Sequence, residues 1–94
     1  METGIPRSER ESEITNRLGL HARAAAQLVH LANRFASEIR IAKDGVEVNA
    51  KSIMGVLMLA APKDSLVIIT ADGPDAEEAV EAICRLIAGK FGEE

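Results

Sequence analysis

The stretch Glu38-Ile39-Arg40-Ile41-Ala42-Lys43-Asp44-Gly45-Val46-Glu47-Val48-Asn49 decides the fold class. Ile39 and Ile41 alternate with Glu38 and Arg40, and Val46 and Val48 alternate with Glu47 and Asn49. A period of two gathers the apolar side chains of each run on one face, the pattern of strands with one buried side. Asp44-Gly45 separates the runs. Those two residues suit a two-residue turn whose twist matches that of paired strands. The segment therefore predicts a β-hairpin with one face turned toward a core.

On its N-terminal side, Ala25, Leu28, Ala32 and Phe35 recur at helical spacing. They predict an amphipathic helix over about residues 21–35, with Arg23, Gln27, His30 and Arg34 on the polar face. Asn16-Arg17-Leu18-Gly19-Leu20 supplies turn chemistry before it. Glu11 to Thr15 reads as a weakly patterned first strand. Residues 1–10 mix Pro, Gly, Ser and charge without a period, the mark of a poorly ordered extension before a domain spanning 11–94.

On the C-terminal side, Ser52 is placed to cap a short helix through about Leu59, in which Val56 is expected to face inward. Pro62-Lys63-Asp64 closes that helix into a loop. Leu66 to Ala71 is rich in β-branched residues and predicts a buried strand. Gly73-Pro74-Asp75 opens a last helix, with Pro suited to its first turn and Asp75, Glu77 and Glu78 at its positive end. Ala76, Val80, Ile83 and Ile87 form its buried stripe, Glu81 and Arg85 an i,i+4 pair, and Gly89 and Gly92 offer stops. The order strand, helix, hairpin, short helix, strand, helix predicts an α+β layered domain with amphipathic helices over one face of a mostly antiparallel sheet.

Composition narrows the function. Ninety-four residues suffice for one domain and not two. Phe35 and Phe91 are the only aromatics, so a stacking platform for single-stranded nucleic acid has almost nothing to work with. A net charge of -4 disfavours a sequence-independent DNA binder. The single cysteine, Cys84, excludes an internal disulfide and a multi-cysteine metal site, and is expected as a packed thiol. No apolar run is long enough to cross a bilayer, and residues 1–10 lack the apolar region of a signal peptide. A small, acidic, monomeric, cytoplasmic domain is expected.

The residues most suited to chemistry lie where the first helix begins. His21 follows Gly19-Leu20, and Arg23 comes two residues later. A helix start offers unpaired backbone N–H groups and partial positive charge, a cradle for phosphate. A ring nitrogen as nucleophile and a guanidinium fork beside it complete a phosphoryl acceptor. Read on that pattern alone, His21 is more readily an ordinary surface residue at a helix start, because a lone His-x-Arg is a weak signal. His30, on the polar face, reads as an exposed rim residue. Ser52 reads as an N-cap either way.

The motif Leu18-Gly19-Leu20-His21-Ala22-Arg23 followed by Ala25, with Lys51-Ser52-Ile53-Met54-Gly55-Val56 about thirty residues later, resembles the HPr family. These are the histidine-containing phosphocarriers of the bacterial phosphoenolpyruvate:sugar phosphotransferase system. The resemblance runs from about Glu11 to the C-terminus. It implies an open-faced β-sandwich, a four-stranded antiparallel sheet covered on one face by three helices. It implies that His21 takes a phosphoryl group from enzyme I at Nδ1 and passes it to an enzyme IIA domain for sugar uptake, with Arg23 neutralising it. No cofactor or metal is implied. Ser52 corresponds to the regulatory target of HPr kinase/phosphorylase, and Ile53, Met54 and Leu57 to a partner-docking turn, for which methionine's ability to repack is well suited. The chain departs from the family at Ala24, where proline is common, and in the loop 60–64, which lacks the usual glycines. Two other readings share these residues: a regulatory paralogue of a nitrogen-type relay not coupled to sugar transport, and a small ligand-binding regulatory domain without phosphoryl chemistry.

Overall fold

The computed structural model describes residues 4–93. Strands β2 (Glu38–Lys43) and β3 (Val46–Asn49) form the predicted hairpin, with Arg40 opposite Asn49 and Lys43 opposite Val46. Asp44 (φ 51°) and Gly45 (φ 83°) both take the left-handed backbone that such a two-residue turn needs. Ile39 and Ile41 are buried, and Val48 packs partly against the core. Val46, beside the turn on an edge strand, stays exposed.

Two further strands complete the sheet: β1 (Arg7–Glu13) and β4 (Leu66–Asp72). The order is β1-β4-β2-β3, and every neighbouring pair is antiparallel. Helices α1 (Ala22–Ala32), α2 (Ile53–Met58) and α3 (Ala76–Ala88) lie over one face. Ala25, Leu28 and Ala32 from α1, Val56 from α2, and Val80, Ile83 and Ile87 from α3 join Ile39, Ile41, Val67, Ile69 and Ala71 of the sheet in one buried cluster. The opposite face is open to solvent, with Leu66 and Ile68 exposed on it. This is the expected open-faced β-sandwich. Among the described residues, no helix is long and apolar enough to cross a membrane.

Three boundaries correct the sequence reading. The first strand begins at Arg7, inside the expected extension, and ends at Glu13 rather than Thr15. Its sequence, Arg-Ser-Glu-Arg-Glu-Ser-Glu, has no apolar face, because this is an edge strand. Pairing from Arg7 opposite Asp72 to Glu13 opposite Leu66 orders it instead. Residues 1–3 of the expected extension lie outside the described residues. Helix α1 stops at Ala32, where the amide of Asn33 donates to the Val29 carbonyl at 2.9 Å and competes with further turns. Phe35 still reaches the core from the turn that follows. Finally, Pro74 lies outside α3, and the Asp75 carboxylate does not cap that helix. It accepts from the backbone N–H groups of Ala36 and Ser37, each at 2.9 Å, and from Ser37 Oγ at 2.5 Å. Its charge is spent on tertiary structure, tying α3 to the turn after α1.

Asp72 ties the strands together at one end of the sheet. It accepts from Arg7 Nε at 2.7 Å and Arg40 Nη2 at 2.5 Å, linking β1, β4 and β2. The hydrogen bond from Arg7, then that from Arg40, hold its carboxyl below the usual aspartate range against a smaller opposing effect of burial. A carboxyl depressed in the folded state favours folding above the ordinary aspartate value of about 3.9, and this contribution is lost as pH falls through the depressed value. Asp72→Asn should therefore lower the melting temperature at pH 7 by more than at pH 3. Equal losses at both pH values would show that Asp72 acts through neutral hydrogen bonding alone.

Candidate functional site

His21 is the N-cap of α1, with extended backbone (φ -75°, ψ 179°), and its carbonyl accepts from the Ala25 N–H at 2.8 Å. Gly19 sets this entry. Its φ of +66° is left-handed, and a Cβ there would lie 2.5 Å from the Ala61 carbonyl oxygen and 2.8 Å from Pro62 Cα. No larger residue fits. The Leu20 N–H donates to the same Ala61 carbonyl at 2.9 Å, so the histidine loop is fastened to the segment leaving α2. In that segment Ala60 (φ 49°) and Asp64 (φ 77°) take left-handed backbone. The loop thus keeps a glycine-like shape without glycine, at a cost of about 1–2 kcal/mol for Ala60.

The imidazole is held at both nitrogens. Nδ1 accepts from the backbone N–H of Arg23 at 3.3 Å, and Nε2 lies 2.6 Å from Glu93 Oε2. The ring is about a quarter exposed, at 26%. The other oxygen of Glu93 accepts from Asn16 Nδ2 at 3.1 Å, and the same amide donates to the Gly19 carbonyl at 2.8 Å. The hydrogen bond from Asn16, followed by that from His21, keeps the Glu93 carboxyl below its usual range, and the charge of Arg23 adds to this. Glu93 reaches the site because the chain turns after α3. Phe91 is buried, and its carbonyl accepts from Gln27 Nε2 of α1 at 3.1 Å. Gly92 (φ 76°) then redirects the chain toward His21.

Arg23 is exposed on the first turn of α1. Arg17, Leu18, His21, Ala22, Arg23 and Glu93 line an open depression of about 470 Å³. It offers two guanidinium-bearing residues around a ring nitrogen, together with the N-terminal N–H groups of an 11-residue helix. Ala24, at the position where the family commonly has proline, is fully buried, so a small side chain there serves packing.

The second motif presents exposed apolar side chains around its serine. Ser52 caps α2, its hydroxyl oxygen accepting from the Gly55 N–H at 3.1 Å. Ile53, Met54 and Leu57 are exposed at 46%, 71% and 37%, while Val56 is buried. Met58 extends this apolar surface, and Leu18 is exposed in the histidine loop, two contributions the sequence reading did not assign. His30 is exposed on the polar face of α1, and Cys84 is buried, with its thiol pushed up by that burial.

Asn16, Arg17 and Glu93 were also missed as site residues. Asn16 and Arg17 adjoin the histidine motif and could have been found by proximity. Glu93 lies 72 positions from His21, and no local signal points to it.

The family described as "PTS HPr component phosphorylation site" matches residues 8–89. The phosphocarrier protein HPr of Cupriavidus necator is 52% identical over 85 residues, covering 90% of this chain and 96% of that protein. HPr-C-His from Thermoanaerobacter tengcongensis superposes with a TM-score of 0.90 at 48% identity, over 93% of this chain and 98% of that one. HPr from Bacillus anthracis gives a TM-score of 0.84 at 46% identity, over 86% and 96% of the respective chains. A family match over most of the chain, the same fold throughout and a histidine at the start of α1 lead to one conclusion. The chain belongs to the HPr family of the phosphotransferase system, stoichiometric phosphocarriers that relay a phosphoryl group between enzyme I and enzyme IIA through a histidine.

Proposed function

We propose that His21 is the histidine through which this carrier works, accepting the phosphoryl group at Nδ1, and that the carrier acts in the cytoplasm. The observation that carries the reading is the direction of Nδ1, which accepts from the Arg23 N–H and so faces the amino end of α1. A phosphoryl group added there enters a field of backbone donors and partial positive charge. Arg23 supplies the guanidinium that neutralises it. Incubation with enzyme I and labelled phosphoenolpyruvate should give one acid-labile phosphate per chain, mapping to the peptide that holds His21. Label on His30 instead would overturn the assignment.

Ser52 serves regulation through HPr kinase/phosphorylase, and Ile53, Met54 and Leu57 dock both enzyme I and enzyme IIA. The position of Ser52 supports this: it begins the helix that carries those exposed apolar residues. A phosphate there adds about -1.5 to -2 charge, which a partner surface would have to desolvate. At the N-cap the same charge meets the favourable end of the helix, so the fold is retained. Ser52→Asp is expected to raise the apparent Km of enzyme I for this carrier, with the melting temperature near wild type and part of the effect lost in high salt. Unchanged kinetics in a stable variant would remove Ser52 from the docking surface.

A further inference from the structure

We infer that Asn16 and Glu93 form a positioning pair that fixes the tautomer of His21, keeping the proton on Nε2 throughout phosphoryl relay and so leaving the Nδ1 lone pair free to take the phosphoryl group. The inference rests on the proposed role of His21 and adds two residues to it.

The hydrogen-bond pattern allows one neutral arrangement. Nδ1 receives a hydrogen bond from the Arg23 N–H, so its lone pair points that way and it carries no proton of its own. Nε2 faces a carboxylate oxygen at 2.6 Å, and two acceptors cannot meet at that distance, so Nε2 bears the hydrogen. A carboxylate on the far nitrogen of a histidine sets the tautomer and stabilises positive charge arising on the ring. Glu93 stands in that relation to His21.

Asn16 holds Glu93 in place. It is fully buried, and its Nδ2 is shared between the Gly19 carbonyl and Glu93 Oε1. Its Oδ1 has no partner among the described residues. Turning the amide over would aim Oδ1 at two acceptors and lose both bonds, so the orphaned oxygen is the lesser cost. A buried amide left half-satisfied in this way is retained for what its other end does. Here that end presents the carboxylate to the imidazole and ties the histidine loop to the C-terminal turn.

In phosphorylation, the Nδ1 lone pair forms the N–P bond while the bond from phosphorus to enzyme I breaks and its electron pair stays with enzyme I. The ring gains positive charge and keeps its Nε2 proton, and Glu93 faces that charge. In delivery, an electron pair of a nucleophile on enzyme IIA forms its bond to phosphorus as the N–P bond breaks, the pair of that bond returns to Nδ1, and the neutral Nε2–H ring is restored. No proton moves at either step.

The test uses the full chain with ¹⁵N-labelled histidine, comparing wild type, Glu93→Ala, Glu93→Gln and Asn16→Ala. Imidazole nitrogen shifts and couplings read the tautomer of the neutral ring in the unphosphorylated protein. Wild type should show a single Nε2–H form. Glu93→Ala should show mixed tautomers and transfer from enzyme I about 10- to 100-fold more slowly, with label still reaching His21 and melting little changed. Glu93→Gln has one acceptor oxygen where the carboxylate has two, so it cannot accept from both Asn16 Nδ2 and Nε2–H, and it should recover the tautomer and the rate only in part. Asn16→Ala should shift the tautomer in the same direction as Glu93→Ala. An unaltered Nε2–H population and rate in Glu93→Ala would overturn the inference while leaving His21 as acceptor. Absence of label on His21 in the wild type would instead overturn the reading it rests on. Asn16→Ala protein that melts early yet keeps the wild-type tautomer would reduce Asn16 to a structural role and refute the pair.

Discussion

His21→Ala is expected to abolish acid-labile labelling by enzyme I and phosphoenolpyruvate, leaving a folded protein that neither accepts nor delivers phosphate. Among the described residues, no other group stands where Nδ1 does, at the amino end of α1 with its lone pair toward the Arg23 N–H. His30 is on the exposed polar face of the same helix and has no comparable cradle. Removing the imidazole also removes an N-cap acceptor, a loss of about 1 kcal/mol. For a domain of this size that lowers the melting temperature by roughly 4–8 °C and leaves the chain folded. Labelling measured beside a melting curve separates the two effects. Undiminished acid-labile phosphate on the folded variant would refute the assignment.

Arg23→Ala should give the second largest loss, about tenfold to somewhat over a hundredfold in transfer rate. A charge-assisted contact to the phosphoryl group is worth about 1.5–3 kcal/mol, and it counts fully only if it is realised in the transition state. Arg23 is exposed, so its removal leaves the core intact. Arg23→Lys retains charge without the planar fork and should recover part of the rate. Arg17 lines the same depression, which makes complete loss in Arg23→Ala unexpected. Equal rates for wild type and Arg23→Ala in single-turnover transfer would remove the clamp role.

Both predictions depend on local sequence. The order of elements, the Asp44-Gly45 hairpin, the Ser52 cap and the inward Val56 followed from periodicity and turn chemistry, because each involves residues within a few positions of one another. The same is true of His21 and Arg23 at one helix start. Pairing the two motifs carried the family as well, since the segments around His21 and Ser52 are each contiguous.

What the sequence did not carry was whatever depends on residues far apart in the chain. β1 has no apolar period, and pairing with β4 about 60 residues later makes it a strand. Asp75 reads as a charge for its own helix dipole but serves Ala36 and Ser37 across the fold, because three donors converge there. The docking of Gly19 against Ala61, which fastens the histidine loop to the segment after α2, is likewise a long-range approach. Glu93 is the clearest case. Its role at His21 depends on a buried Phe91, a left-handed turn at Gly92 and the amide of Asn16, and no local signal links Glu93 to the histidine motif. Local sequence determined the reacting residues, the turns and the helix caps, whose energetics are set within one or two turns of chain. Tertiary structure alone decided the sheet order and the partner of Nε2, because those contacts form only after the chain has closed long loops around a common core.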